Sequence, residues 1–163
     1  MNHPSVDLLN KAVADELQAV HQYMYFHFHL DDQGFGPLAT LFKRTAIVEM
    51  GHIETLAERI LFLKGDVNMS VAGPVAAIQD PAEILAKAIA MESQSAADYN
   101  KAAQQCGANA DAATKQLFEA LVADEEAHQD AFDKQLENIK RFGLSYLALQ
   151  SFGAPADAPP AAK

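Results

Sequence analysis

The sequence predicts an all-α protein: a four-helix bundle with one long crossover and a short fifth helix. Three observations lead there. Apolar residues recur at steps of three and four through four long segments, Gly and Pro gather at the breaks between them, and half of the 163 residues are hydrophobic, with Ala abundant. A chain of this length suits one domain with one substantial core.

The first helix is expected from Ser5 to about Leu30, where Leu9, Val13, Leu17, Val20 and Met24 keep the helical step. The run DDQGFGP breaks the pattern. A second helix then spans about Leu38 to Lys64, with Gly65 as its C-terminal signal. The longest connection follows, GDVNMSVAGPVAAIQ. Asp80, Pro81 and Glu83 next form a helix start: a capping side chain, a Pro at the first helical position and an acid at the third. This third helix lasts to about Cys106, and the short break GANAD leads to a fourth that ends near Phe142, before Gly143. Two helices, a long connection and two more helices describe a bundle with a single crossover. LSYLALQSF supplies the short fifth helix. Residues 1–152 therefore read as one domain, and 153–163 as an Ala/Pro-rich tail expected to be disordered.

The formal charge of -10 argues against nucleic acid as a partner, because phosphate contacts need Lys and Arg. Cys106 stands alone, so neither an intrachain disulfide nor a CxxC metal site can form. The start, MNHPSVDLLNKAV, lacks a basic stretch followed by an apolar run, and no uninterrupted apolar segment approaches the length a bilayer needs. A soluble, cytoplasmic protein without membrane partners is expected.

The bundle hides a repeat. Glu16, Tyr23, Glu49 and His52 in the first half match Glu92, Tyr99, Glu125 and His128 in the second, since 92-16, 99-23, 125-49 and 128-52 all equal 76. One matched pair could arise by chance in a Glu-rich chain; four at one offset are much harder to dismiss. Glu and His three apart lie about 60° apart on one helix face, one turn along, so both can reach a single ion. Glu16 and Tyr23, seven apart, also share a face, as do Glu92 and Tyr99. Folding the halves together brings four carboxylates and two imidazoles into the interior. Four uncompensated buried carboxylates would be very costly, and two divalent cations would balance them. Carboxylate oxygens and neutral His nitrogens suit iron or manganese, whereas zinc more often takes four ligands. One Glu from each of two helices plus Glu-x-x-His from each of the others is the known pattern of carboxylate-bridged bundles. Tyr23 and Tyr99 fit two roles, hydrogen-bonding a ligand carboxylate or filling the core. His3, His21, His27 and His29 have no repeat partner and receive no role.

The chain resembles the bacterioferritins, members of the ferritin-like diiron superfamily, from about Val6 to Phe152. The resemblance rests on ELQAVHQY (16–23), EMGHIETLAERILFLKG (49–65), DEEAH (124–128) and GLSYLALQ (143–150). It implies a ferritin-like bundle and places the family's ferroxidase ligands on Glu16, Glu49, His52, Glu92, Glu125 and His128. Glu49 and Glu125 would bridge two irons, with Glu16 and Glu92 as terminal ligands and one His on each. It further implies oxidation of Fe(II) by dioxygen or hydrogen peroxide, and storage of the ferric mineral in a hollow homo-oligomeric shell. That shell is usually one of 24 subunits, against 12 in a related miniature architecture, and a ferredoxin-type reductant would release the iron. It implies haem between two subunits, held by the Met that follows the second helix's ligand Glu, which here is Met50. By direction alone, Met50 lies about 100° around the helix from Glu49. It therefore sits near a flank or the outer face, where packing or a plain dimer interface would also suit it.

Departures exist. Some bacterioferritins place a His and an Asp on the second helix for a further, cavity-facing iron site; the corresponding residues here are Arg44 and Val48. Competing readings are a rubrerythrin-like diiron peroxidase or oxidase without storage, a DNA-protecting shell and a manganese catalase. The single Cys argues against the rubredoxin domain usual in the first. The absence of a basic N-terminal arm argues against the second.

Overall fold

The structure, a computed structural model, describes residues 3–153. Helices α1 (Ser5–Asp32), α2 (Gly36–Phe62), α3 (Pro81–Ala108) and α4 (Ala112–Phe142) form two antiparallel hairpins, α1 with α2 and α3 with α4. A short α5 (Ser145–Gly153) docks on α4 and α2, and its Leu147 is buried among Leu38, Phe42, Phe132 and Ile139. Among the described residues there is no strand, and no helix is long and apolar enough to cross a membrane. The fold is the expected four-helix bundle with one crossover and a fifth helix. The expected tail lies, from residue 154 onward, outside the described residues.

The helix ends shift slightly from expectation. α1 runs two residues past Leu30, to Asp32, and α2 starts at Gly36 rather than Leu38. α1 closes with Gly34 in the left-handed region (φ 85), its N–H on the Asp31 carbonyl and that of Phe35 on Leu30. This paired closure satisfies carbonyls that the helix end would leave open. α3 closes identically at Ala110 (φ 58), and 110-34 is again 76, so the repeat extends through the turn. At the end of α2 the left-handed residue is Lys64 (φ 61), not Gly65. Gly65 is needed for another reason: a Cβ there would lie 2.7 and 2.8 Å from the two γ-methyls of Val6. α3 begins as expected, with Asp80 accepting from the Glu83 N–H at 3.0 Å.

The buried stripe of α1 is not quite its most apolar one. Leu9 and Val13 are buried, but Leu17, Val20 and Met24 are only half-buried, and the stripe continues instead through Glu16, Ala19, Tyr23, Phe26 and Leu30. The residue 63–80 crossover runs beside α1 and is clipped to it by side chains. Asn10 bonds the backbone at Asp66 and Asn68, and the buried Gln22 amide bonds both the carbonyl (3.0 Å) and N–H (2.7 Å) of Ala76. The apolar core falls into two clusters. One is aromatic and gathers Tyr23, Phe26, Phe42 and Phe132; the other holds Leu9, Val13, Leu56, Ile60, Tyr99 and Phe118.

Candidate metal centre

Each of the four long helices contributes to one buried polar layer. α1 supplies Glu16, α2 Glu49 and His52, α3 Glu92, and α4 Glu125 and His128. The four Glu and His52 are buried, and only the His128 side chain, 14 % exposed, reaches the surface. The structure thus brings together all six residues that the repeat selects. They form two overlapping groups. Ligand atoms of Glu16, Glu49, His52 and Glu125 lie within 4.8 Å of one another, as do those of Glu49, Glu92, Glu125 and His128. Glu49 and Glu125 belong to both.

The nitrogens face inward. His52 Nδ1 lies 2.7 Å from Glu49 Oε2 and 3.3 Å from both Glu16 Oε1 and Glu125 Oε1; His128 Nδ1 lies 3.1 Å from Glu49 Oε1 and 3.6 Å from Glu92 Oε2. These are close approaches without hydrogen-bond geometry. Both oxygens of Glu49, Glu92 Oε2, Glu125 Oε1 and the Nδ1 atoms of both His are buried with no hydrogen-bond partner. Buried polar atoms are nearly always satisfied, so six orphaned atoms converging from five residues fit a cluster built to coordinate cations.

Electrostatics agrees. Burial pushes the Glu16 carboxyl up to about 8 and the Glu125 carboxyl up to about 10, with neighbouring carboxylates adding to the shift. Burial would also raise Glu49, but its contacts with His128 and His52 overcome that and hold it down at about 2. Desolvation works to lower His128, yet Glu49 and Glu92 carry it up to about 10, and His52 is raised further still. Such a layer needs positive charge, and protons and metal ions compete to supply it.

The two tyrosines cross between the hairpins. Tyr23 of α1 donates its hydroxyl to Glu92 Oε1 of α3, and Tyr99 of α3 donates to Glu16 Oε1 of α1 at 2.5 Å. Each ring packs in one apolar cluster and only its hydroxyl enters the polar layer. Both candidate roles therefore hold at once: core aromatic and carboxylate anchor. Burial and the neighbouring Glu raise both hydroxyl pKa values, so they stay donors.

One residue escapes sequence reasoning. His52 Nε2 lies 3.1 Å from Asp124 Oδ2. Asp124 sits inside the DEEAH motif, but the residue 76 positions earlier is Val48, so a search for matched pairs passes over it.

Met50 points away from this layer. It is 50 % exposed on the outer face of α2, one turn from the exposed Ile47, and a side chain at the adjacent Gly51 would meet nothing within 4 Å. Its direction decides between flank and outer face in favour of the outer face. Arg44 is exposed as well. Of the unassigned histidines, His27 holds the Ala39 carbonyl through Nδ1 at 2.8 Å, a tie from α1 to α2.

Comparison with known proteins places these features in a family context. A family model described as a ferritin-like domain matches residues 6–142. The chain is similar to the bacterioferritin of Desulfovibrio desulfuricans, 36% identical over 158 residues, covering 97% of this chain and 88% of that protein. It is 35% identical to the Rhodobacter capsulatus bacterioferritin over 154 residues, 94% of each chain. Solved structures agree. An X-ray structure of the D. desulfuricans bacterioferritin, describing its diiron site in different catalytic states, superposes with a TM-score of 0.90, covering 98% of this chain and 92% of that one. The R. capsulatus bacterioferritin, solved with a metal-free dinuclear site and a heme iron, superposes with a TM-score of 0.89 at 32% identity, covering 98% of this chain and 100% of that one.

Proposed function

Since the chain belongs to the ferritin-like family and, within it, to the bacterioferritins, which oxidise and store iron, we propose that Fe(II) is bound and oxidised at the buried polar layer. Glu16 and His52 would hold one ion, Glu92 and His128 the other, and Glu49 and Glu125 would bridge both. The observation that carries this reading is the pair of overlapping ligand groups that share only those two carboxylates.

The bound Fe(II) supplies the electrons that dioxygen or hydrogen peroxide accepts. The protein's own residues bind and orient. Four carboxylates match the charge of two divalent ions, so the layer favours binding a pair over one ion. Tyr23 and Tyr99 each occupy one oxygen of a terminal carboxylate; in Glu92 this leaves Oε2, which has no other partner, for the metal. The two apolar clusters above and below keep bulk water out and make the inward-facing nitrogens and oxygens the readiest ligands. Storage follows from the family's hollow shell, for which 24 subunits is the expected number, with 12 as the alternative. The test loads Fe(II) anaerobically into the purified protein and then admits air. Fast oxidation, many irons retained per subunit and the particle mass of a hollow shell are expected. Retention of only about two irons per chain, one dinuclear site's worth, would favour the rubrerythrin-like alternative and sink the storage reading.

Haem shared between two subunits through Met50 belongs to the same proposal. An exposed thioether on an apolar stretch, with Gly51 leaving open space beside it, suits a flat porphyrin shared between two copies of α2. Purified protein is expected to show a haem absorption spectrum that disappears in Met50→Leu and changes its axial-ligand signature in Met50→His. If haem-reconstituted wild type and Met50→Leu give the same spectrum, Met50 is a packing residue.

A further inference from the structure

The two halves of the centre match in their six ligands but not in what stands behind them. Behind His52, the Asp124 carboxylate lies 3.1 Å from Nε2, at the mouth of a cleft of about 480 Å³ between α2 and α4 that Thr55, Gln116 and Leu117 also line. The repeat places residue 48 of α2 beside His128 of α4, as it places residue 124 of α4 beside His52 of α2. Residue 48 is Val, which accepts no hydrogen bond. Among the described residues, His128 Nε2 has no hydrogen-bond partner; the contacts of that ring all run through Nδ1.

We propose that Asp124 is a positioning residue for His52 and that it makes the two metal positions unequal, the His52 position being preformed and filled first. The inference rests on the metal-binding reading above. A neutral imidazole carries one proton, and the partner of one nitrogen decides where it sits. In the metal-bound state, where the imidazole is neutral, Asp124 accepting from Nε2–H puts the lone pair on Nδ1, the atom that faces Glu16, Glu49 and Glu125. The same bond fixes the ring plane and strengthens Nδ1 as a donor. His128 has no such restraint, so its ring must be ordered, and its tautomer selected, when the ion arrives. The difference also shows in exposure: the His52 side chain is 7 % exposed against 14 % for His128. Asp124 itself is more than half exposed and touches no ion in this scheme, so its removal leaves the core intact.

The test is an anaerobic titration with Co(II), followed by its visible absorption and by calorimetry. Wild type is expected to bind in two separated steps. Asp124→Leu should weaken the tighter step by about 10- to 100-fold, the usual cost of losing a ligand's outer partner, and leave the weaker step in place. Asp124→Asn should lose less, because its amide oxygen still accepts from Nε2–H. Val48→Asp should tighten the weaker step by giving His128 the partner it lacks. Two equal steps in wild type, or two steps unmoved in Asp124→Leu, overturn the positioning role while leaving the metal-binding reading intact. Wild type that takes up no Co(II) at all overturns both.

Discussion

Glu125→Gln and Glu49→Gln are each expected to slow Fe(II) oxidation by more than about 100-fold, above the range lost with an outer partner alone, because each change reaches both metal positions. Glu49 and Glu125 are the only residues common to the two ligand groups, and three of their four carboxylate oxygens are buried without a hydrogen-bond partner. An amide keeps the volume but offers one neutral oxygen in place of two that share a charge. A terminal-ligand variant such as Glu16→Gln touches one group only and should retain more binding. Stability should not follow activity. Replacing Glu125 by its isosteric amide removes one of four crowded buried acids, so the metal-free protein is expected to melt at the same temperature or higher. Stopped-flow oxidation and thermal melts of the metal-free variants measure both. Fast oxidation surviving in both bridging variants would remove Glu49 and Glu125 from the site.

Asp111→Ala is expected to cause a large loss of stability away from the metal layer, about 3 kcal/mol, the lower end of the range for breaking a buried ion pair, since Arg59 is partly exposed. The reason is how much one side chain holds. Asp111 caps α4 by accepting from the Thr114 N–H at 3.1 Å, accepts from Ser5 Oγ at the start of α1 at 2.7 Å, and pairs with Arg59 Nη2 near the end of α2 at 2.8 Å. Its own N–H closes α3 on the Cys106 carbonyl. All four long helices meet on it, and Arg59 also donates to Thr114 Oγ1. The alanine variant leaves a guanidinium and a buried hydroxyl without their acceptor.

The same residue sets an acid limit. Burial alone would raise the Asp111 carboxyl, but Thr114, Ser5 and the Arg59 guanidinium overcome it and hold the pKa at about 2, below the ordinary 3.8. A pKa lowered by folding means that the unfolded chain takes up the proton first as pH falls. The contribution is therefore complete above about pH 4 and disappears between about pH 4 and 2. Melts of wild type and Asp111→Asn across that window should converge toward its acid end. A constant gap between them would contradict the pairing.

How much of this was legible in the chain differs between the metal layer and its surroundings. The six residues of the polar layer could be found because the signal is local and doubled. A Glu and a His three apart share a helix face whatever the helix packs against, and the constant offset of 76 removed most coincidences. That filter also had a cost. Asp124 has no acidic counterpart at Val48, so a rule that rewards symmetry hid the one residue that breaks it. Asp111 stayed hidden for a different reason: as a helix cap it looks ordinary, and its partners Ser5 and Arg59 lie 106 and 52 residues away.

Periodicity marked α1 as a helix without fixing its inner stripe: Leu17, Val20 and Met24 keep the step but are only half-buried, and the stripe runs through Glu16 and Tyr23, which the repeat placed inside. It also assigned the end of α2 to Gly65, where Lys64 takes the left-handed turn and Gly65 makes room for Val6.

The sequence by itself determined the helices, their order and the six residues that meet in the buried polar layer, since all of these follow from spacing along one helix and its repetition. Only the tertiary structure decided which tyrosine holds which carboxylate, that Met50 faces outward, and that Asp124 stands behind one histidine while, among the described residues, the other has no such partner. Those facts depend on the rotation and register of each helix against the next. Turns such as those at Gly34 and Ala110, together with the packing of two separate apolar clusters, set that register, and no spacing within a single helix contains it.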